Sequence, residues 1–386
     1  VVSRSFAIVG AGFSGAVVAR QLAEAGHQIT VFDTRPHVAG NCFTQRHESG
    51  VMVHVYGPHI FHTQHEHVWN FITRFGVMKA YRHTVSAMSG GKKYQLPMNL
   101  TLINDFFGTN FTPEQAEAFI TEKADKTITH PVSFEDQALR FVGRELYEAF
   151  FKGYTKKQWG EEPTALPASI LARLPLRFTA DDSYFNHPFQ GIPEHGYTPI
   201  VEAILDHPSI TVHLSTEFNP SGAHAYDHVV WTGPIDAFFG FAHGRLGYRT
   251  LDFVQEVHEG DVQGCPVLNY CDESVPYTRI TEHKHFAPWE HHDKSVTYTE
   301  YSRLCTEADT PYYPIRLVEE KDQLVKYVER ARAQQGVTFL GRLGTYRYLD
   351  MDVTIHEALN AASGMLEALA SNSAIPSFFT DPLGGA

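Results

Sequence analysis

Residues Phe6 to Asp33 follow one pattern that leaves few folds open to the chain. An apolar run, Phe6-Ala7-Ile8-Val9, ends in Gly10-Ala11-Gly12-Phe13-Ser14-Gly15. A helical stretch follows, with Ala19 and Leu22 on its inner face and Gly26 at its end. A second apolar run, Ile29 to Phe32, stops at an acid, Asp33. The order is strand, glycine turn, helix, strand, acid. Gly10 permits the tight turn, Gly12 lets backbone approach a pyrophosphate, and Gly15 lets the helix pack closely on the strand. The helix N-terminus offers free N–H groups and partial positive charge to phosphates. Asp33 stands where it can accept hydrogen bonds from a ribose hydroxyl. A lone GxGxxG is a weak signal. With both strands, the helix and the acid in register, the reading is a dinucleotide site rather than a structural glycine turn.

The chain has 386 residues, too many for one ordinary core, so two or three subdomains are expected. Hydrophobic residues make up 43% and charged residues 19%, a globular profile rather than a disordered one. The net charge of −13 argues against general binding to nucleic acid or anionic membranes, so an anionic ligand needs a local set of Arg or Lys. No apolar stretch is long enough to span a bilayer. The first strand begins almost at once, which leaves no room for a signal peptide, and the first residue is Val rather than Met. Cys42, Cys265, Cys271 and Cys305 contain no CxxC pair. Free thiols in a reducing cytoplasm are expected, and a dithiol flavoenzyme is disfavoured.

The expected fold class is α/β. A Rossmann-like dinucleotide domain (1–65, with about 205–240 and 335–370 returning to its sheet) carries an inserted helical domain (66–82 and 98–173). An antiparallel β-sheet domain (83–97, 177–204 and 241–334) completes the chain. Residues 66–80 read as a helix, from Val68, Trp69, Phe71, Ile72 and Phe75. Residues 84–97 read as a hairpin around Gly90-Gly91. Thr112-Pro113-Glu114-Gln115 is a helix start, and Ser133 caps another helix expected to run to Gly153. Residues 155–172 read as a candidate lid. Helices are expected over 317–335 and 354–369, a short strand over 337–341, and a mobile Pro/Gly/Ser tail over 371–386.

The acid after the second strand allows NAD or FAD. Asp33-Thr34-Arg35 followed by Ala39-Gly40-Asn41 favours FAD, and no second glycine fingerprint follows for a separate nicotinamide domain. Several further stretches resemble bacterial UDP-galactopyranose mutases. They are Tyr56 to Thr63 (YGPHIFHT), Phe150 to Gly160 (FFKGYTKKQWG), Arg173 to Arg177 (RLPLR) and Asp181 to Asn186 (DDSYFN). Phe189 to Pro193 (FQGIP), Thr232 to Asp236 (TGPID) and Gly341 to Asp352 (GRLGTYRYLDMD) extend the match over nearly the whole chain. The departures are Asp33 where relatives more often carry Glu, Ala39 where Gly is usual, and His83 where Asn is common.

The resemblance implies interconversion of UDP-galactopyranose and UDP-galactofuranose, with FAD active when reduced. It implies that the flavin N5 attacks the anomeric carbon, and that ring contraction proceeds through an iminium. By resemblance, Arg173 and Arg279 grip the diphosphate and are the catalytic pair. Guanidinium forks suit phosphate oxygens. Phe150, Phe151, Tyr154 and Trp159 build the uridine pocket, with Tyr154 stacking on uracil and Trp159 on the lid. An aromatic helix face buried in core is the plainer reading for this group, and Phe150 can serve as both. Tyr184, Tyr313 and Tyr348 resemble tyrosines that hydrogen-bond the diphosphate, while His83 and Asn269 line the substrate site. Asp350 resembles an acid near sugar and flavin, although an acid at a helix N-terminus is equally sensible physically. The cofactor side comprises Gly10, Gly12, Phe13, Ser14, Gly15, Asp33, Thr34, Arg35, Gly40, Asn41, His59, Ile60, His62, Phe218, Arg342, Leu349, Asp350 and Met351.

His54, His59, His62, His65 and His67 crowd one stretch, and His283, His285, His291 and His292 form a second group. Neither matches a metal signature in its spacing, so no metal is expected. The competing enzyme reading is an FAD amine oxidase or desaturase, which needs an electron acceptor and no nucleotide-sugar pocket. A binding protein without catalysis is the reading from another class. A homo-oligomer is compatible with everything above.

Overall fold

A computed structural model describes residues 2–173, 176–316 and 321–384, with the side chains of 172 and 173 outside the described set. The glycine fingerprint sits at the centre of a five-stranded parallel sheet. In spatial order its strands are Ile210–His213, Gln28–Phe32, Ser5–Val9, His228–Trp231 and Val337–Phe339. The segments near 210 and 337 do return to the first sheet, as the apolar pattern suggested. Alternation along the first strand explains the layering. Phe6 and Ile8 enter one core with the helices Phe13–Glu24, Tyr197–Leu205 and Met351–Ala370. Ala7 enters the opposite core with Leu324, Tyr327 and Val328 of the Lys321–Ala333 helix.

A second, seven-stranded sheet is antiparallel except where Val267–Tyr270 runs parallel to Val85–Ser89, so the expectation of a purely antiparallel sheet is corrected at one pairing. The Val85–Leu96 hairpin turns through Gly90 and Gly91, both at positive φ, as an I′-like two-residue loop requires. One register crosses five strands of this sheet, aligning Ala87, Asn269, Arg279, Glu300 and Phe253. These side chains therefore share a face.

The helical unit starts its helices as expected. Thr112 and Ser133 each make a full capping box, with Gln115 and Asp136. The helix expected from Ser133 to Gly153 is not continuous. Gly143 takes φ 79°, and a Cβ there would lie 2.7 Å from the Lys123 carbonyl oxygen. The chain resumes as a π-helical stretch, Tyr147–Lys152, and then the helix Gly153–Trp159.

Three other expectations are corrected. The helix near 66 ends at Thr73, and Met78–Ala80 is instead a strand beside Phe189–Pro193. Val68, Phe71 and Ile72 pack into the dinucleotide-domain core, not the helical one. Residues 197–205, expected among strands, form a helix against Phe13–Glu24. The described part of the tail is docked rather than loose. Phe339 N–H donates to Ser377 O at 2.8 Å, Arg332 pairs with Asp381 at 2.9 Å, and Phe378 and Phe379 pack on the two cores. The two phenylalanines outweigh a loop-like composition. Residues 317–320 of the expected 317–335 helix lie outside the described set. Among the described residues, no helix is long and apolar enough to cross a membrane.

A Cβ on Gly15 would overlap the Gly10 carbonyl oxygen and press on Ile8. Gly15→Ala should therefore cost about 1–3 kcal/mol of unfolding free energy, the usual penalty of overpacking. Urea unfolding checks this, and an unchanged midpoint would mean that helix and strand are not in this close contact.

Candidate active site

The fingerprint is fastened by its own acid. Asp33 Oδ2 accepts the Ala11 N–H at 2.8 Å and Oδ1 accepts the Arg35 N–H at 2.9 Å. Gly10 N–H donates to Phe32 O at 2.7 Å. The carboxylate thus holds the turn against the end of the second strand. The Phe13–Glu24 helix begins at Gly12 with no side-chain cap, so its first N–H groups remain available to an anion.

Bare backbone surrounds that helix start. A Cβ on Gly40 (φ 52°) would lie 3.4 Å from Gly12 Cα, and one on Gly341 (φ 80°) would lie 2.6 Å from Ser14 Oγ. Ala39 holds φ 72° although it carries a Cβ, a conformation that costs about 1 kcal/mol. Arg35 lies over the Tyr56 ring and donates to Asn41 Oδ1 at 2.8 Å, while its buried Nη1 has no partner. Phe13 and Ser14 are buried at the helix start and Thr34 is exposed.

Across from this cradle, the seven-stranded sheet presents its aligned row. Arg279 Nε donates to Glu300 Oε2 at 2.7 Å, and Glu300 is 1% exposed. Burial alone would lower the guanidinium pKa. The Glu300 charge and bond, with Tyr154 and Tyr313, outweigh it and hold Arg279 well above its usual range. The Nη groups of Arg279 make no hydrogen bond among the described residues. Beside it on the neighbouring strand, the buried Asn269 Oδ1 has no partner among the described residues.

Phenols gather around this cation. Burial raises the pKa of Tyr154, Tyr184 and Tyr313, and Arg279 acts on all three. They remain protonated donors at neutral pH. Tyr313 and Tyr348 rings lie 5.4 Å apart, with Trp159 at 6.2 Å from each. Arg342 lies over the rings of Tyr348 and Tyr313, donates to Leu349 O and Tyr312 O, and so fixes the approach to Asp350 and the last helix at Met351.

Three histidines close the space between row and cradle. Burial, helped by Arg342 and Arg279, lowers His59 to about 4. Burial, with Arg279 and His62, lowers His83 to about 3. Burial also lowers His62, against the pull of Asp350 and Asp352. His62 stacks on Phe185 at 3.6 Å and bonds His187 at 2.9 Å. All three are neutral near pH 7 and can donate or accept without adding charge.

Some expected residues fall elsewhere. Phe150 and Phe151 belong to the helical core, Phe150 against Tyr94 and Phe106 and Phe151 against Phe134. Their side chains follow the plainer reading, whereas Tyr154, one turn on, reaches the cation. The Ile60 side chain packs with Tyr81, Ile192 and Phe286. Phe218 packs on Phe32 and Tyr226 beside the end of the second strand. The side chain of Arg173 lies outside the described residues. The 155–172 segment is tied down at both ends. Lys157 Nζ donates to the carbonyls of Tyr270, Asp272 and Tyr277, Arg249 and Ser302 bond Gln158 O, and Phe134 N–H bonds Leu166 O.

Sequence reasoning missed Glu300, Arg249 and Lys157. Glu300 left a signal. It falls on the same face of its strand as Val296 and Tyr298, both buried, and a carboxylate in an apolar alternation needs a cation opposite.

A Rossmann-like cradle facing an anchored guanidinium and a wall of tyrosines defines a nucleotide-binding enzyme. Residues 8–75 match the family described as NAD(P)-binding Rossmann-like domain, and residues 149–348 match UDP-galactopyranose mutase. A probable UDP-galactopyranose mutase of Klebsiella pneumoniae is 55% identical over 97% of this chain and 98% of its own length. A dTDP-fucopyranose mutase of Escherichia coli is 50% identical over 92% and 96%. The fold matches a crystal structure of reduced UDP-galactopyranose mutase, with TM-score 0.72 at 15% identity over 95% of this chain and 96% of that one. The chain belongs to the UDP-galactopyranose mutase family and is an isomerase.

The buried histidines set a pH response. His83 and His283 are held near 3 and His228 near 4, chiefly by burial. Their folded pKa values lie below the unfolded value of about 6.5. The unfolded chain therefore binds more protons, and stability present above pH 6.5 falls as pH drops toward 4. Each group contributes a slope of about 1.4 kcal/mol per pH unit in that window. Urea unfolding at pH 7.5 and 5.0 should show a clear loss at the lower pH. Equal stability at both would mean that these imidazoles are not buried neutral.

Proposed function

We propose that this enzyme interconverts UDP-galactopyranose and UDP-galactofuranose, with FAD as its cofactor, active when reduced. The observation that carries this reading is Arg279, held charged by a buried carboxylate, with its Nη groups unspent among protonated phenols.

The residues fit a flavin dinucleotide. Gly40 comes so close to Gly12, and Gly341 to Ser14, that a Cβ on either would press on the helix start, which is therefore lined by bare backbone, and Arg35 Nη1 lacks an acceptor among the described residues. The helix start at Gly12 would take the pyrophosphate, and Asp33, with lone pairs left over, would take a ribose hydroxyl. Arg342 would hold the turn at Leu349, Asp350 and Met351 against the ring system, and the start of the last helix favours negative charge there. When bound, the reduced flavin supplies the nucleophile directed at the anomeric carbon.

The chain's own groups do the rest. Arg279 binds the diphosphate and stabilises the charge that grows as UDP departs. Arg173 is the second guanidinium by family resemblance. Tyr184, Tyr313 and Tyr348 orient phosphate oxygens, and Tyr154 and Trp159 flank the base. The unmet Asn269 Oδ1 suits a ligand donor. Neutral His83, with Asp350, lines the sugar side, and neutral His59 and His62 lie against the flavin. The docked 155–172 segment shuts water out, and its release admits substrate.

The E. coli relative favours a second substrate reading, a dTDP-6-deoxyhexose. Incubation of the enzyme with UDP-galactopyranose and, separately, dTDP-fucopyranose, each with and without dithionite, tests both. The furanose should form from the UDP-sugar only in the reduced samples. Turnover of the dTDP-sugar alone would reassign the substrate, and net flavin oxidation with each turnover would point to an oxidase instead.

Arg279→Ala should lose roughly a hundredfold in kcat or more, the scale for removing one transition-state charge donor, while the protein stays yellow. Resolving the two ring forms at matched flavin content checks this, and near wild-type turnover would remove Arg279 from the mechanism.

A further inference from the structure

Three imidazoles from two distant parts of the chain meet beside the start of the last helix. His65 precedes the Glu66–Thr73 helix and His67 lies in its first turn, while His356 lies near the start of Met351–Ala370. One ring nitrogen from each lies within 4.8 Å of the other two. His67 Nε2 and His356 Nδ1 are 2.8 Å apart, and the His65 and His356 rings are 4.5 Å apart and nearly parallel. We propose that His65, His67 and His356 bind one divalent transition-metal cation of the zinc class, bridging the second and last helices.

The donor set selects the ligand. Three neutral imidazoles suit Zn²⁺ and its soft neighbours, not the oxygen-seeking Mg²⁺ or Ca²⁺. Metal–nitrogen bonds of about 2.0–2.1 Å need small ring rotations here, since the nitrogens are already gathered. The 2.8 Å imidazole pair shares one hydrogen bond, and a cation displaces that hydrogen while the donor ring keeps its proton on its other nitrogen. Asp352 and Glu357, on the same helix as His356, add negative charge that favours a cation. His65 is set in place by its N–H, which bonds Thr63 Oγ1 at 3.0 Å.

Asn360 supplies an outer partner. Its amide lies 3.0 Å from His356 Nε2. With metal on Nδ1, the proton moves to Nε2 and the turned amide accepts it, as outer-shell groups commonly do. His67 is exposed, so water can complete a tetrahedral shell. The sequence hid the site because its third ligand lies 289 residues after His67. The other group of gathered ligands among the described residues, Asp261, Glu282 and His285, is a weaker candidate. Its Glu282 carboxylate already accepts from Val262, Gln263 and Ser295.

The test uses the tag-free full chain, stripped with EDTA and dialysed, then titrated with Zn²⁺ against a chromogenic chelator. One equivalent should bind, and the thermal midpoint should rise with Zn²⁺ concentration. His67→Ala and His356→Ala should each weaken binding at least about tenfold and abolish the thermal shift. His291→Ala, whose side chain is 96% exposed and outside the cluster, should change neither. His67→Ala alters an exposed side chain, so its folding is not at risk. Less than half an equivalent bound by wild type, or wild-type affinity in His67→Ala, would overturn the proposal.

Discussion

The Arg279–Glu300 pair is the constraint around which the pocket is arranged. Glu300 is almost wholly buried, and a buried carboxylate without a cation would cost several kcal/mol. The strand register sets Arg279 directly beside it and Asn269 directly beyond. Such a pair adds little net stability, but breaking it is expensive. Its role is therefore to fix a charge in space. With Nε committed to Glu300, the rest of the guanidinium faces the tyrosines.

That fixed charge sits opposite a cradle built by a separate sheet, and the last helix joins the two. Arg342 reaches from the Gly341 turn to Leu349 O and Tyr312 O, while Gly341 lies so close to Ser14 of the first helix that a Cβ on it would overlap Ser14 Oγ. One short segment therefore contacts the proposed cofactor cradle and the tyrosine wall together. Residues more than 300 positions apart in sequence are thereby brought together near the start of the last helix.

Much of the fold was legible in the sequence because local chemistry determines it. The Gly10–Asp33 fingerprint, the Gly90-Gly91 hairpin and the Thr112 and Ser133 caps depend on neighbours a few residues away. Misreadings arose where distant packing decides. Gly143 turns out of the helix at φ 79°, with Lys123 packed where a side chain would stand, residues 78–80 become a strand because Phe189–Pro193 lies beside them, and the tail docks through Phe378 and Phe379. At the site, Arg279 and the tyrosines were reached through motif resemblance, whereas Glu300 was missed because its partner lies across a strand pairing, and Lys157 because the carbonyls it meets are more than a hundred residues away in sequence. Phe150 and Phe151 carry the motif and pack in the helical core beside Trp159, as the plainer reading of an aromatic helix face has it.

On the proposed function, Glu300 holds Arg279 ready for a diphosphate. Calorimetric titration of UDP into wild type and Glu300→Gln tests it most directly, with far-ultraviolet circular dichroism to confirm folding. The account predicts that the folded variant binds UDP at least about tenfold more weakly, since each lost charge-assisted contact is worth about 1.5–3 kcal/mol. Wild-type affinity in a folded Glu300→Gln protein would contradict it.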